Sequence, residues 1–199
     1  MKRPRTIFGP FALVAMLAIG FALGRIERET PTVRAADAQI IGEGVSRPTP
    51  ARRSSARLII PVDGVTRRDL ADTWGDARSE GRSHEGIDIM AAQGTSVRAA
   101  ADGRIVKFFD SVRGGVTIYQ FDRSERFVYY YAHLGARAAG LNEGDEVRQG
   151  QIIGYVGMTG NAPVPHLHFE IQRLGAERRW WVAESMNPYP LLISGVPPS

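Results

Sequence analysis

The chain has 199 residues, 43% of them hydrophobic and 23% charged, enough for one substantial core but short for two full-sized domains. It contains no cysteine, which excludes disulfides, thiolate metal ligands and a cysteine nucleophile, so any metal must be held by nitrogen and oxygen donors from His, Asp and Glu. The net charge of +4 sits at the N-terminus: residues 1–57 carry 10 Lys+Arg against 4 Asp+Glu, whereas residues 58–199 carry 15 against 17. The folded part therefore lacks the basic footprint of nucleic-acid binding, and we expect no nucleic-acid partner.

In chain order, the basic cluster Lys2, Arg3 and Arg5 is followed by residues 7–24, a stretch rich in Ala, Leu, Phe and Ile with no charge. This is the pattern of an export signal. Its length lies between a cleavable signal peptide and a spanning helix of about 20 residues, so residues 1–24 read either as a signal anchor or as a signal peptide cut near Ala22-Leu23-Gly24. Either way the basic cluster stays inside and the remainder is exported, with membrane contact through this segment if it is uncleaved. Residues 25–57 carry Arg, Ala, Pro, Thr and Ser with few large apolar residues, the composition of a flexible linker.

From residue 58 the texture changes to short apolar runs punctuated by Gly and Asp, several of them rich in Val, Ile, Tyr and Phe: LIIPV, GIDIM, TSVRAA, GRIVKFF, GVTIYQF, RFVYYYAHL, DEVRQGQIIGYVG and LHFEIQ. Their spacing of about ten residues predicts an all-β domain over residues 58–193, mainly an antiparallel β sandwich or barrel-like sheet, with a tail at 194–199. No window beyond residue 57 predicts a long amphipathic helix.

The four histidines carry the strongest signal. His84 stands in SHEGID, His133 in YAHL, and His166 and His168 in PHLHFE. Alternate residues of a strand point the same way, so His166 and His168 project together, about 6–7 Å apart, and Leu167 faces the other layer. One imidazole of the pair can bind a metal while the other stands beside it as an acid/base or oxyanion-stabilising group. His84 and Asp88 would lie about 13 Å apart along a straight strand, so that segment must bend, and Gly86 is where it can. Asp88 offers an anionic oxygen; Glu85 and Ile87, of opposite parity, point away, with Glu85 toward solvent. Two histidines and one carboxylate leave an open coordination position on zinc, the pattern of a catalytic site. A helical His-Glu-x-x-His motif is absent, so proton transfer falls to the unligated histidines.

These motifs resemble the lysostaphin-type (LytM-like) zinc endopeptidases of bacterial cell walls. The resemblance runs from about Leu58 to Leu192. It rests on His-x-Gly-x-Asp at 84–88 with Arg82 before it, then GTSVRAAADGRIV, YYYAHL and EGDEVRQGQIIGYVGMTGNAPVPHLHFEI. It implies a Zn2+ cofactor held by His84, Asp88 and His168, a catalytic pair of His133 and His166, peptidoglycan as substrate, and an active enzyme at the outer face of the membrane, in the periplasm or secreted. The choice of His168 over His166 as ligand comes from the resemblance alone. The stretch TWGDARSEGRSH departs from relatives that place a catalytic Tyr there, leaving the source of an extra oxyanion donor open. Two other readings compete. A non-catalytic wall binder or hydrolase activator would keep the ligands but have no use for His133 and His166. A lipoyl-like carrier domain, suggested by GDEVRQGQIIGYVG, lacks a suitably placed lysine, Lys107 being the single one in the folded region.

Overall fold

The computed structural model describes residues 57–199; the expected signal or anchor at 1–24 and the linker up to residue 56 lie outside the described residues. The described residues form nine strands: β1 (Ile87–Met90), β2 (Ser96–Arg98), β3 (Gly103–Ser111), β4 (Gly115–Asp122), β5 (Phe127–Arg137), β6 (Glu146–Val147), β7 (Ile152–Val156), β8 (His166–Leu174) and β9 (Ala183–Met186). The runs picked out in the sequence supply β1 to β8, except LIIPV, which makes only an isolated bridge from Val62 to Val97; β9 lies in none of the runs. A short helix, α1 (Tyr189–Ser194), follows. All pairings are antiparallel, so the described residues form a mainly β domain as expected. Among them no helix is long and apolar enough to cross a membrane.

The sheet runs β1-β8-β5-β4-β3-β6, with β9 on the far part of β8 and the β2–β7 pair attached through β5. Its pivot is the 11-residue β5. One edge of β5 pairs with β4, while the other pairs with β8 over residues 127–132 and with β7 over residues 134–137. The changeover falls at His133. There the ladder to β4 slips, because Ala132 and His133 together oppose the single residue between Val116 and Ile118. This is a β-bulge, which re-aims a side chain by breaking the two-residue alternation.

The core is apolar. Ile87, Ile89, Val97, Ile105, Ile118, Tyr131, Leu134, Ile153, Leu167, Phe169 and Ile171 are buried in one cluster, each large side chain contributing about 1.5–3 kcal/mol by leaving water. In β1 and β8 the alternation sends Ile87, Ile89, Leu167, Phe169 and Ile171 inward and leaves Asp88, His166, His168 and Glu170 on the opposite face. The last residues close the domain: Leu58 N–H donates to Gly195 O at 2.8 Å, and Gly195, at φ +72°, ends α1 in the left-handed conformation that suits glycine.

Candidate metal centre and active-site cleft

All four histidines and Asp88 gather in one open cleft of about 500 Å³. His84 arrives from the loop before β1. The chain bends at Gly86, where an added Cβ would stand 2.5 Å from Phe169 O and 2.9 Å from His168 Cε1, so only glycine lets this segment lie against β8. Asp88 pairs with His168 across the β1–β8 ladder, whose next residue of the same parity, Met90, pairs with His166. Antiparallel register thus brings together residues 80 apart in sequence. Glu85 is exposed, as expected.

The donor atoms converge. His84 Nε2 lies 2.8 Å from His168 Nδ1 and 3.1 Å from Asp88 Oδ1, and His168 Nδ1 lies 3.2 Å from the same oxygen. Donors around a tetrahedral zinc with bonds of about 2.0–2.1 Å stand about 3.3 Å apart, so this triangle is ion-sized. The chemistry of the far ring atoms points the same way. His84 Nδ1 is 2.6 Å from Thr73 O, and a carbonyl only accepts, so Nδ1 carries the proton and Nε2 presents a lone pair. His168 Nε2 is 2.7 Å from Glu170 Oε1 and likewise donates, turning the Nδ1 lone pair inward. Two lone pairs and a carboxylate oxygen facing one another at such distances require a cation between them. Without metal, the site takes a proton instead. Burial lowers the His168 pKa, but its bonds to Asp88 and Glu170 outweigh burial and raise it to about 9. Burial alone would likewise raise the Asp88 pKa, and the bonds from His168 and His84 instead hold it well below the usual carboxylate range. The residues present fit a divalent cation, with Thr73 and Glu170 orienting its imidazole ligands.

His133 and His166 stand beside this triangle and outside it. Their rings are 4.8 Å apart between centroids. His133 Nδ1–H donates to Thr159 O at 2.8 Å and His166 Nδ1–H to Val164 O at 2.8 Å, which leaves each Nε2 free to accept or carry a proton in the cleft; that of His166 is 3.5 Å from Asp88 Oδ1. His133 sits at φ +59°, a left-handed conformation costly for a side chain with a Cβ, and such strain clusters at functional positions. Burial lowers its pKa to about 4, so it is a neutral base at physiological pH.

Four contributors escaped the sequence reading. Glu170 shares the parity of His166 and His168 on β8, a signal the sequence does carry; its second oxygen accepts from Gln172 Nε2 at 2.5 Å and Ser185 Oγ at 3.2 Å. Thr73 serves twice, its carbonyl on His84 and its hydroxyl accepting from Asp88 N–H at 3.0 Å. Arg78 holds Asp88 Oδ2 at 2.6 Å, leaving Oδ1 alone to face the triangle. Tyr130, from β5, lines the cleft with its ring edge-on to His168 at 6.0 Å. Thr73 and Arg78 lie in loops without periodicity, where nothing local marked them.

The profile of peptidase family M23 matches residues 82–180. The catalytic domain of the antimicrobial peptidase lysostaphin from Staphylococcus simulans superposes with a TM-score of 0.54 at 30% identity, covering 63% of this chain and 94% of that domain. The L-Ala–D-Glu endopeptidase of Bacillus subtilis is 36% identical over 141 residues, 66% of this chain and 42% of that protein. The DD-carboxypeptidase/endopeptidase Mpg of Neisseria meningitidis is 47% identical over 108 residues, 54% of this chain and 22% of that protein. The chain thus spans less than half the length of either curated relative. It belongs to peptidase family M23, the lysostaphin-type endopeptidases.

Proposed function

We propose that this protein is a zinc-dependent endopeptidase that cleaves peptide bonds in the cross-links or stem peptides of bacterial peptidoglycan. The carrying observation is the division of labour in the cleft: three donor atoms form an ion-sized triangle while two further histidines, each fixed through Nδ1, present Nε2 beside it. His84, Asp88 and His168 would hold the ion. Bound there, zinc would act as a Lewis acid, polarising the scissile carbonyl and lowering the pKa of water toward about 7. His133 Nε2, neutral because burial lowers its pKa to about 4, accepts the proton of the attacking water and passes it to the leaving amine. His166 Nε2 stands beside His133 and, when the ring carries a second proton, would donate to the developing oxyanion. A purely structural site would need neither side chain, and the strained backbone at His133 would serve no purpose in it.

The relatives named above for cutting L-Ala–D-Glu bonds and for DD-endopeptidase activity support wall peptides as the substrate class. The uncharged stretch at residues 7–24 behind Lys2, Arg3 and Arg5 supports action outside the cytoplasm, at the membrane's outer face, in the periplasm or secreted, and sedimentation of the full chain with membranes tests the tethered form. The reaction itself is tested by digesting purified peptidoglycan of defined cross-link chemistry and identifying fragments by mass spectrometry. The expected result is zinc-dependent release of peptides cut at one bond type; intact walls in every chemistry, with zinc bound, would instead favour the activator reading.

A further inference from the structure

The loop over the cleft holds a contact that the ion-binding triangle does not need. Ala77 and Ser83 bridge, and Arg78 N–H donates to Arg82 O at 2.8 Å, so residues 78–82 form a tight excursion with Glu80 and Gly81 at its tip. Both tip residues are left-handed, at φ +64° and +70°. Glycine accepts that conformation freely, but a glutamate there is strained. Its carboxylate reaches the turn between β3 and β4, where Arg113 Nη2 donates to Glu80 Oε2 at 2.6 Å. Arg82 Nε lies 3.8 Å from the same oxygen, too far for a hydrogen bond, and this buried nitrogen has no hydrogen-bond partner. Arg78, Arg82 and Arg113 all line the cleft.

Two guanidinium groups from two separate elements therefore converge on one carboxylate oxygen at the cleft rim, and the carboxylate comes from a strained, exposed loop tip. We propose that Arg113 and Arg82 form a carboxylate receptor that selects substrates carrying a free carboxylate close to the scissile bond, and that Glu80 occupies it until substrate arrives. This rests on the endopeptidase reading above and narrows its substrate to acidic wall peptides. The Glu80 and Arg113 side chains are 67% and 60% exposed, so their pair is weak and easily exchanged. An incoming carboxylate can take both the Arg113 fork and the unmet Arg82 Nε–H, a set of charge-assisted bonds that Glu80 does not fully make.

The test is calorimetric titration of the zinc-loaded full chain with the peptide L-Ala-D-Glu-L-Lys-D-Ala in two forms, its D-Glu carboxylate free or converted to the carboxamide. The L-Ala–D-Glu amide is N-methylated so that it is not cut. Wild type is expected to bind the free acid about 10-fold or more tighter than the amide, since hydrogen bonds to charged groups are worth that much. Arg113→Ala should cut that preference several-fold, leaving what Arg82 Nε–H supplies, with Arg113→Lys keeping more of it because the charge remains without the fork. Glu80→Gln should tighten binding of the acid form by roughly 2–5-fold by removing a weak competitor. A ratio of two ligands on one preparation is insensitive to partial unfolding. Equal affinity of wild type for both forms, no measurable binding of the acid, or an unchanged preference in Arg113→Ala would each overturn the receptor; weaker binding of both forms by Glu80→Gln would make Glu80 a brace and overturn the exchange. Digestion of the unmethylated peptide is scored separately, so loss of the endopeptidase reading and loss of the receptor are distinct results.

Discussion

His168 is gripped from both ends, by Asp88 at Nδ1 and Glu170 at Nε2, and this has a pH consequence. Without metal its pKa is raised from 6.5 to about 9, so its contribution to stability is complete below pH 6.5 and is lost as pH rises through 9. His133 acts oppositely: with its pKa lowered from 6.5 to about 4, it contributes stability above pH 6.5 that is lost as pH falls toward 4. The metal-free protein should therefore unfold at its highest temperature near pH 6.5 and lose stability on both sides. With zinc bound, the alkaline loss should disappear, because the ion replaces the proton on His168. Thermal unfolding from pH 4 to 9 with and without chelator measures this, and a metal-free curve still rising between pH 6.5 and 9 would contradict the assigned proton. At this scale the sequence was informative where residues shared a strand: the common parity of His166 and His168 was readable, and that of Glu170 was there to be read. Arg78 and Thr73 were not, because their contacts depend on how a loop without periodicity lies over β1.

Two elements set the geometry of the site, the β1–β8 ladder and the bulge in β5. The first depends on Gly86, where a methyl group would meet Phe169 O at 2.5 Å, a backbone atom that cannot rotate aside. Gly86→Ala should cost about 1–3 kcal/mol of stability and also weaken zinc binding, because prising β1 from β8 parts His84 and Asp88 from His168. Chemical denaturation together with a zinc competition titration checks both, and a stable variant with wild-type affinity would show that the bend is not what assembles the triangle. The need for a bend at Gly86 was legible from the length of a straight His84–Asp88 segment. The bulge was not: the run FVYYYAHLGAR is a continuous apolar and aromatic stretch with no local mark of a break, and its slip at His133 falls where its pairing passes from β8 to β7 while β4 runs along the other edge. The mainly antiparallel β character and most of the strands were similarly plain from spacing, although LIIPV makes only a bridge at Val62 and β9 carried no apolar run, whereas the branching of the sheet at β5 is a long-range property that no local pattern encodes.

At the scale of the whole molecule, one open cleft among the described residues sets the ion-sized triangle of His84, Asp88 and His168 beside the paired rings of His133 and His166. The proposed separation of ion-holding from proton-moving side chains is tested by one pair of measurements on the same samples: bound zinc by elemental analysis and the rate of wall-peptide cleavage. His84→Ala, Asp88→Ala and His168→Ala should lose both zinc and cleavage, since a three-ligand site missing one ligand holds the ion poorly. His133→Ala and His166→Ala should keep full zinc while cleavage falls by about 10²–10⁴-fold, the usual contribution of a positioned acid or base. Zinc retained by Asp88→Ala, or wild-type cleavage by zinc-loaded His133→Ala and His166→Ala, would contradict the account.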